Sequence, residues 1–351
     1  MILVSYFRPN IDRMAGYQPG EQPREGEFIK LNTNENPYPP SPRVMEAIRQ
    51  AAGDGLRKYP DPLATVFRAQ AAKLHGVGPD WILAGNGSDD LLTIVTRSFV
   101  GAGDCVVAPT PSYILYRSLA EIQAARYEEV PFDASWDLPD DFAQRHARLA
   151  FLPNPNSPSG TMVTVQRVRE LTRSLQSHSP LIVDEAYVDF ADENCAGLVR
   201  ECDNVIVTRS LSKSYSLAGI RFGYCLAQPH IIAGLVKVKD SYNCDEISIA
   251  AAGAALEDQE HFRRNIDRVR ATRTRLTQSV RQLGFHVPDS QANFVWCTNG
   301  PAPARRLYEQ LKERRILVRY MNYPGYGDGL RISVGTDGEI DRLIDELKPL
   351  L

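Results

Sequence analysis

Asn204-Val-Ile-Val-Thr-Arg-Ser-Leu-Ser-Lys213-Ser-Tyr-Ser-Leu-Ala-Gly219-Ile-Arg221-Phe-Gly223-Tyr is the stretch on which the fold turns. Its opening, Asn204 to Thr208, is an apolar, β-branched run with the length of a buried strand. From Ser210 onward it is rich in hydroxyls and holds one lysine, then one arginine eight residues further on. Lys213 therefore emerges where a strand ends in a loop. An amine there is either a solvated loop lysine, the ordinary fate of this residue type, or a nucleophile that forms a Schiff base with a carbonyl cofactor. In the second reading Ser210, Ser212 and Arg221 stand ready for a phosphate.

Working outward, the same pattern repeats. Cys105–Ala108, Ala125–Val130, Leu149–Leu152 and Leu181–Asp184 read as short strands, separated by helical segments at Ser112–Ala124 and Thr164–Ser174. Short apolar strands alternating with helices predict an α/β domain around a mostly parallel sheet, whose ligands lie at the carboxyl ends of the strands. Gly87, Asn154, Asp184 and Lys213 each follow a strand. Asp80–Gly85 is a further strand that runs through Asn86-Gly-Ser88-Asp89-Asp90 into a helix marked by Leu91, Leu92, Ile94, Val95 and Phe99. Such a turn is an anion site, because free N–H groups and the helix dipole converge there; equally, Ser88 caps an ordinary β–α turn.

Three segments are expected. Residues 1–40 form an extended, Pro-rich arm that joins a small domain. Residues 41–245 form the large domain, opened by a helix with Ser41 as its cap and Pro42 at its first position; a second helix turns Leu63, Val66, Phe67 and Leu74 inward. Residues 246–351 form a small α+β domain led by a long, weakly interrupted linking helix at Ile247–Arg281, with strands in Gly284–Trp296 and Ile316–Val334 around a helix at Ala304–Arg314. The basic cluster Arg263–Arg275 reads as that linking helix's wet face.

Composition excludes several classes. A net charge of −3 and a pI of about 6.1 indicate no general affinity for nucleic acid. The six cysteines (Cys105, Cys195, Cys202, Cys225, Cys244, Cys297) include no CxxC pair, and the six histidines no HExxH. No metal site is expected, and the thiols suit a reducing, cytoplasmic setting. No apolar run reaches the roughly 18–20 residues of a membrane span, and the N-terminal apolar segment is too short for a signal peptide.

The Schiff-base reading makes demands that can be checked. A pyridoxal phosphate ring acts as an electron sink only while its nitrogen stays protonated, which a buried carboxylate favours. Asp184 closes an apolar strand and suits that role, unless it is a turn cap. Tyr187 is placed to donate to the ring 3′-oxygen, or else packs. Ser88, Asp89, Ser210, Ser212 and Arg221 supply the phosphate site, an arginine matching a phosphate better than a lysine does. Tyr113 offers an aromatic face for the ring.

These residues carry a resemblance. Leu31-Asn-Thr-Asn-Glu-Asn-Pro, Lys58-Tyr-Pro-Asp, Gly85-Asn-Gly-Ser-Asp-Asp, Asn154-Pro-Asn-Ser-Pro-Ser-Gly, Asp184-Glu-Ala-Tyr187, Ser210-Leu-Ser-Lys213, Ala218-Gly-Ile-Arg221 and Leu330-Arg-Ile-Ser-Val-Gly stand in the order of the fold-type I, PLP-dependent aminotransferases. The sequence is most similar to their histidinol-phosphate branch. The resemblance implies transamination of histidinol phosphate with 2-oxoglutarate in histidine biosynthesis, Lys213 as Schiff-base lysine and proton shuttle, and a homodimer in which Tyr59 reaches the partner's cofactor phosphate. It implies Arg331 on the substrate carboxylate or phosphate, and Arg319 with Tyr17 on the substrate phosphate. In one departure, Ser157 stands where the family has the asparagine that bonds the ring oxygen, so Asn154 or Asn156 is expected to take that contact. The alternatives on this scaffold are a threonine-phosphate decarboxylase or another amino acid aminotransferase. A non-enzymatic PLP-fold binding module would need a DNA-binding segment that residues 1–40 do not contain.

Overall fold

A computed structural model of the chain describes residues 5–16, 20–23, 27–175 and 179–351. The arm begins with α1 (Pro9–Arg13), tied to α5 (Leu115–Ile122) by Asn10 and Arg8, which donate to the carbonyls of Glu121 and Ile122. It continues into β1 (Ile29–Lys30), which pairs in parallel with β10 (Ile316–Leu317), and buries Leu31 among small-domain side chains.

Seven strands form the main sheet: β2 (Ile82–Gly85), β3 (Cys105–Thr110), β4 (Arg126–Pro131), β5 (Leu149–Pro153), β6 (Leu181–Asp184), β7 (Val205–Ser210) and β8 (Gly223–Leu226), in the order β2-β8-β7-β6-β5-β3-β4. β3 through β7 are mutually parallel, and β8 is antiparallel to both of its neighbours. The central strands β5 and β6 are apolar throughout save Asp184 because both faces are covered, whereas the edge strand β4 carries an arginine and two glutamates. Ile182 and Ile206 face α4 (Ser88–Phe99), α5 and α7 (Pro229–Val236), whereas Val183 and Val207 face α2 (Pro42–Ala51), α3 (Thr65–His75), α6 (Val165–Leu175) and α8 (Glu246–Glu257). Each such fully buried side chain contributes about 1.5–3 kcal/mol.

A second core holds α9 (Gln259–Gln282), α10 (Ala304–Glu313), α11 (Asp337–Leu347) and a three-stranded antiparallel sheet of β9 (Phe294–Thr298), β11 (Arg319–Tyr323) and β12 (Gly327–Ser333), in the order β11-β12-β9.

The structure corrects four local expectations. The linking helix is two helices, broken at Asp258, which caps α9 and accepts a 2.5 Å bond from the Ser41 hydroxyl at the start of α2. Apolar α8 packs with the large domain and only α9 with the small one, so by packing the division falls near 258 rather than at 246. Val66 and Leu74 are exposed; Phe67, Ala71 and Ala72 are the buried side of α3, Phe67 meeting Phe222 edge-on at 4.6 Å. Residues 284–293 are mostly irregular, the strand starting only at Phe294. Within α9, Arg273 leaves the wet face and donates to the carbonyls of Phe190 and Ala292.

Candidate active site

The carboxyl ends of β2, β3, β5, β6 and β7 meet at one edge of the sheet. Because β8 runs the other way, its leading residues reach that edge too. The register places Gly223 beside Gly85 on one side and Ser210 on the other, which carries Arg221 to the start of α4. A cavity of about 260 Å³ opens here, between the sheet edge, the arm and β11–β12.

One end of it is an anion cradle. α4 begins on Gly87, whose φ of +84° is closed to other residues without strain. The cap is therefore Gly87; Ser88 makes no side-chain cap and is the first helical residue. A Cβ on Gly87 would lie 2.8 Å from Arg221 Nη2, and one on Gly223 2.8 Å from the Ser88 backbone nitrogen. Both glycines keep free the space between the helix terminus and the arginine. Arg221 Nη1 donates to Ser212 Oγ at 3.3 Å, and Nη2 lies 3.4 Å from the Asp89 carboxylate. What Asp89 offers an anion is its backbone N–H, since its carboxylate sits on Arg221 and accepts from Tyr113 Oη at 3.2 Å. Gly87→Ala is expected to raise the cofactor dissociation constant at least about tenfold by crowding this cradle, as titration of the apoprotein with cofactor will measure.

At the sheet's centre lies Asp184, 5% exposed. Burial pushes its carboxyl up to about 6, the charge of Asp89 adds to the rise, and hydrogen bonds from Tyr116 and Thr208 oppose it. Tyr116 Oη donates to Oδ2 at 2.8 Å and Thr208 Oγ1 to Oδ1 at 3.2 Å. Both bonds orient the carboxylate, and neither was legible in the sequence: Tyr116 is brought in by α5, stacked on Phe151 at 4.5 Å, and Thr208 by its pairing opposite Asp184 on β7.

Lys213 lines the same cavity, its Nζ donating to the Thr33 carbonyl at 3.2 Å and lying 5.8 Å from the Tyr187 ring centroid. Asn36 on the arm donates to the carbonyls of Lys213 and Ser214, steadying the loop. Across from it, β11 and β12 pair Arg319 directly opposite Arg331, and both line the cavity. Arg331 donates to Ser157 Oγ and to the Asn32 carbonyl, each at 3.0 Å.

Ser88, Tyr113, Tyr187, Ser210 and Ser212 also line this cavity. Asn154 and Asn156 do not. The Asn154 amide is engaged at both ends by the Val163 backbone, and Asn156 Nδ2 donates to Pro111 O and Ser159 Oγ. Pro155 and Ser157 are the members of that loop that line the cavity, so the expected ring contact of either asparagine finds no support in the geometry. Tyr59 is 80% exposed, stacked on Tyr242 at 4.4 Å, and lies outside the cavity. Tyr17 lies outside the described residues. The helix at 112–124 begins only at Leu115, which leaves Ser112 and Tyr113 free to line the site.

Among the described residues there is no cluster able to hold a metal and no helix long and apolar enough to cross a membrane. The donor set fits pyridoxal phosphate: an amine, a buried carboxylate, and a phosphate-sized cradle that a Cβ would fill.

Residues 26–347 match the family described as aminotransferase class I and II. The chain is 55% identical over 338 residues to a histidinol-phosphate aminotransferase of Rhodopirellula baltica, covering 95% of this chain and 93% of that protein. It is 46% identical over 351 residues to one from Trichormus variabilis, covering 99% and 100%. Among solved structures, the histidinol-phosphate aminotransferase of Sinorhizobium meliloti in complex with pyridoxal-5′-phosphate superposes with a TM-score of 0.91 at 28% identity, covering 99% of this chain and 98% of that one. Similarity of this extent, over a sheet edge built to hold that cofactor, shows that the chain belongs to the aminotransferase class I and II family and depends on pyridoxal phosphate.

Proposed function

We propose that this enzyme interconverts histidinol phosphate and imidazole-acetol phosphate, with glutamate and 2-oxoglutarate as the other pair. The observation that carries the proposal is the cross-strand pair Arg319 and Arg331 facing the cavity that Lys213 lines. A simple α-amino acid offers one carboxylate and needs one arginine. A phosphate dianion, or the two carboxylates of 2-oxoglutarate, uses both. The names of the relatives support the same substrate.

The bound cofactor supplies a carbonyl carbon for the substrate amine and a ring that stores an electron pair. The chain supplies the rest. Lys213 Nζ moves the proton of the substrate Cα, and its placement beside the arm keeps it at the cavity wall. Asp184 holds a proton on the ring nitrogen, Tyr187 donates to the ring oxygen, and Tyr113 covers the ring face. Ser88, Asp89, Ser210, Ser212 and Arg221 bind the cofactor phosphate, and Arg319 with Arg331 orients the substrate anion. A cytoplasmic homodimer belongs to the same reading: exposed Tyr59, Leu56, Val66 and Tyr242 are apolar surface suited to a second copy, with Tyr59 placed to reach the partner's cofactor phosphate.

The test mixes cofactor-loaded protein with histidinol phosphate and no keto acid. One equivalent of ketone per site and loss of the cofactor's visible band are expected. Reaction only with α-amino acids overturns the substrate assignment. Arg319→Gln is expected to raise KM for histidinol phosphate by about 10–100-fold with a smaller change in kcat, the loss of one charge-assisted contact; steady-state kinetics will read the split.

A further inference from the structure

Asn34, on the arm, has a left-handed backbone with φ +58°. Contacts with the small domain hold it there. Its N–H donates to Ser333 Oγ at 2.8 Å, Ser333 Oγ lies 3.0 Å from Asn34 Oδ1, and Asn293 Nδ2 donates to the Asn34 carbonyl at 2.9 Å. The Ser333 hydroxyl accepts from the backbone N–H and donates its own proton to Oδ1, so the oxygen end of the Asn34 amide is turned to Ser333. The other end, Nδ2, lies 3.1 Å from Tyr187 Oη and can only donate. Tyr187 therefore accepts from Asn34, and its single O–H proton is left for the cavity that both residues line. Its ring is fixed edge-on against Phe294 at 5.0 Å.

We propose that Asn34, locked by Ser333, is a positioning residue that makes the Tyr187 hydroxyl a one-way hydrogen-bond donor toward the oxygen of the cofactor ring. The inference rests on the reading that Tyr187 faces that oxygen. Ser333 stands two residues after Arg331 on the same face of β12. The strand that carries a substrate-binding arginine therefore also carries the lock on the donor.

The readout is the pH midpoint of the bound cofactor's visible absorbance, measured without substrate. A donor at the ring oxygen withdraws charge from it and disfavours the proton shared with the neighbouring lysine nitrogen, so losing the donor moves the midpoint up. Tyr187→Phe should raise it by about one unit, a tenfold change in proton affinity. Asn34→Gly keeps the left-handed backbone and removes only the amide; Ser333→Ala leaves the amide free to flip. Each should raise the midpoint by roughly half a unit, a threefold change, and neither should add anything in a Tyr187→Phe background. A residue that merely secures the arm would shift the midpoint in both backgrounds. The inference is overturned if Tyr187→Phe moves the midpoint while Asn34→Gly and Ser333→Ala do not. It is also overturned if the Asn34→Gly shift persists undiminished in Tyr187→Phe. An unmoved midpoint in Tyr187→Phe itself refutes the underlying reading of Tyr187, and the inference falls with it. Should either lock variant fail to take up cofactor, the other carries the test.

Discussion

Lys213→Ala is expected to lower kcat for transamination by about 10⁴-fold or more, since in the proposed mechanism one side chain serves as both the covalent anchor and the proton carrier. The fold should be barely affected. Lys213 is partly buried, its side chain hydrogen-bonds the Thr33 carbonyl and no other described residue, and its loop is held independently by Asn36. The phosphate cradle at Ser88 and Arg221 is likewise untouched, so the variant should still bind cofactor non-covalently. Borohydride reduction followed by mass spectrometry separates these effects. The wild type gains one cofactor mass on the peptide containing Lys213, and the variant gains none while retaining its circular dichroism spectrum. Labelling of a different lysine in the wild type would refute the assignment.

Asp184→Asn is the second large effect. The amide matches the carboxylate in shape, but only its oxygen can accept, so either Tyr116, which donates to Oδ2, or Thr208, which donates to Oδ1, loses its acceptor; in the proposed role, no charge is left to keep a proton on the ring nitrogen. A fall in kcat of about 10²–10⁴-fold is expected, with cofactor uptake weakened as well. The same variant exposes the cost of the buried acid in the apoprotein. Burial raises the folded-state carboxyl to about 6, against about 3.9 when unfolded. The folded state thus binds the extra proton in that window, and this group's contribution to stability falls as pH rises from below 4 to above 6. A gap of roughly two units corresponds to about 3 kcal/mol. Urea unfolding of the two apoproteins should show the wild-type stability, relative to Asp184→Asn, declining by that order between pH 3 and pH 7. A pH-independent difference would refute the account.

The strand-and-turn grammar was largely readable in one dimension. Leu181–Val183 and Val205–Val207 are apolar at every position because the sheet is covered on both faces, and an uninterrupted apolar run records that directly. The turn into α4 was readable too, since a glycine and a helix start are local features; Arg221 reaches it only through the pairing of β8. Less legible was anything set by a partner distant in sequence. The break at Asp258 depends on Ser41, the exposure of Val66 and Leu74 on where α3 packs, and the retreat of Asn154 from the cavity on the Val163 backbone.

The sequence by itself determined the α/β class and pointed to the amine at Lys213, the acid at Asp184 and a phosphate site, because residue type and the end of a strand mark each of them. Only the tertiary structure decided how these groups are aimed. That β8 runs antiparallel brings Arg221 to the cradle; that β11 and β12 pair in register sets Arg319 opposite Arg331; that the arm crosses the small domain lets Ser333 lock Asn34 onto Tyr187. Hydrogen-bond direction depends on neighbours hundreds of residues away, and no local pattern records it.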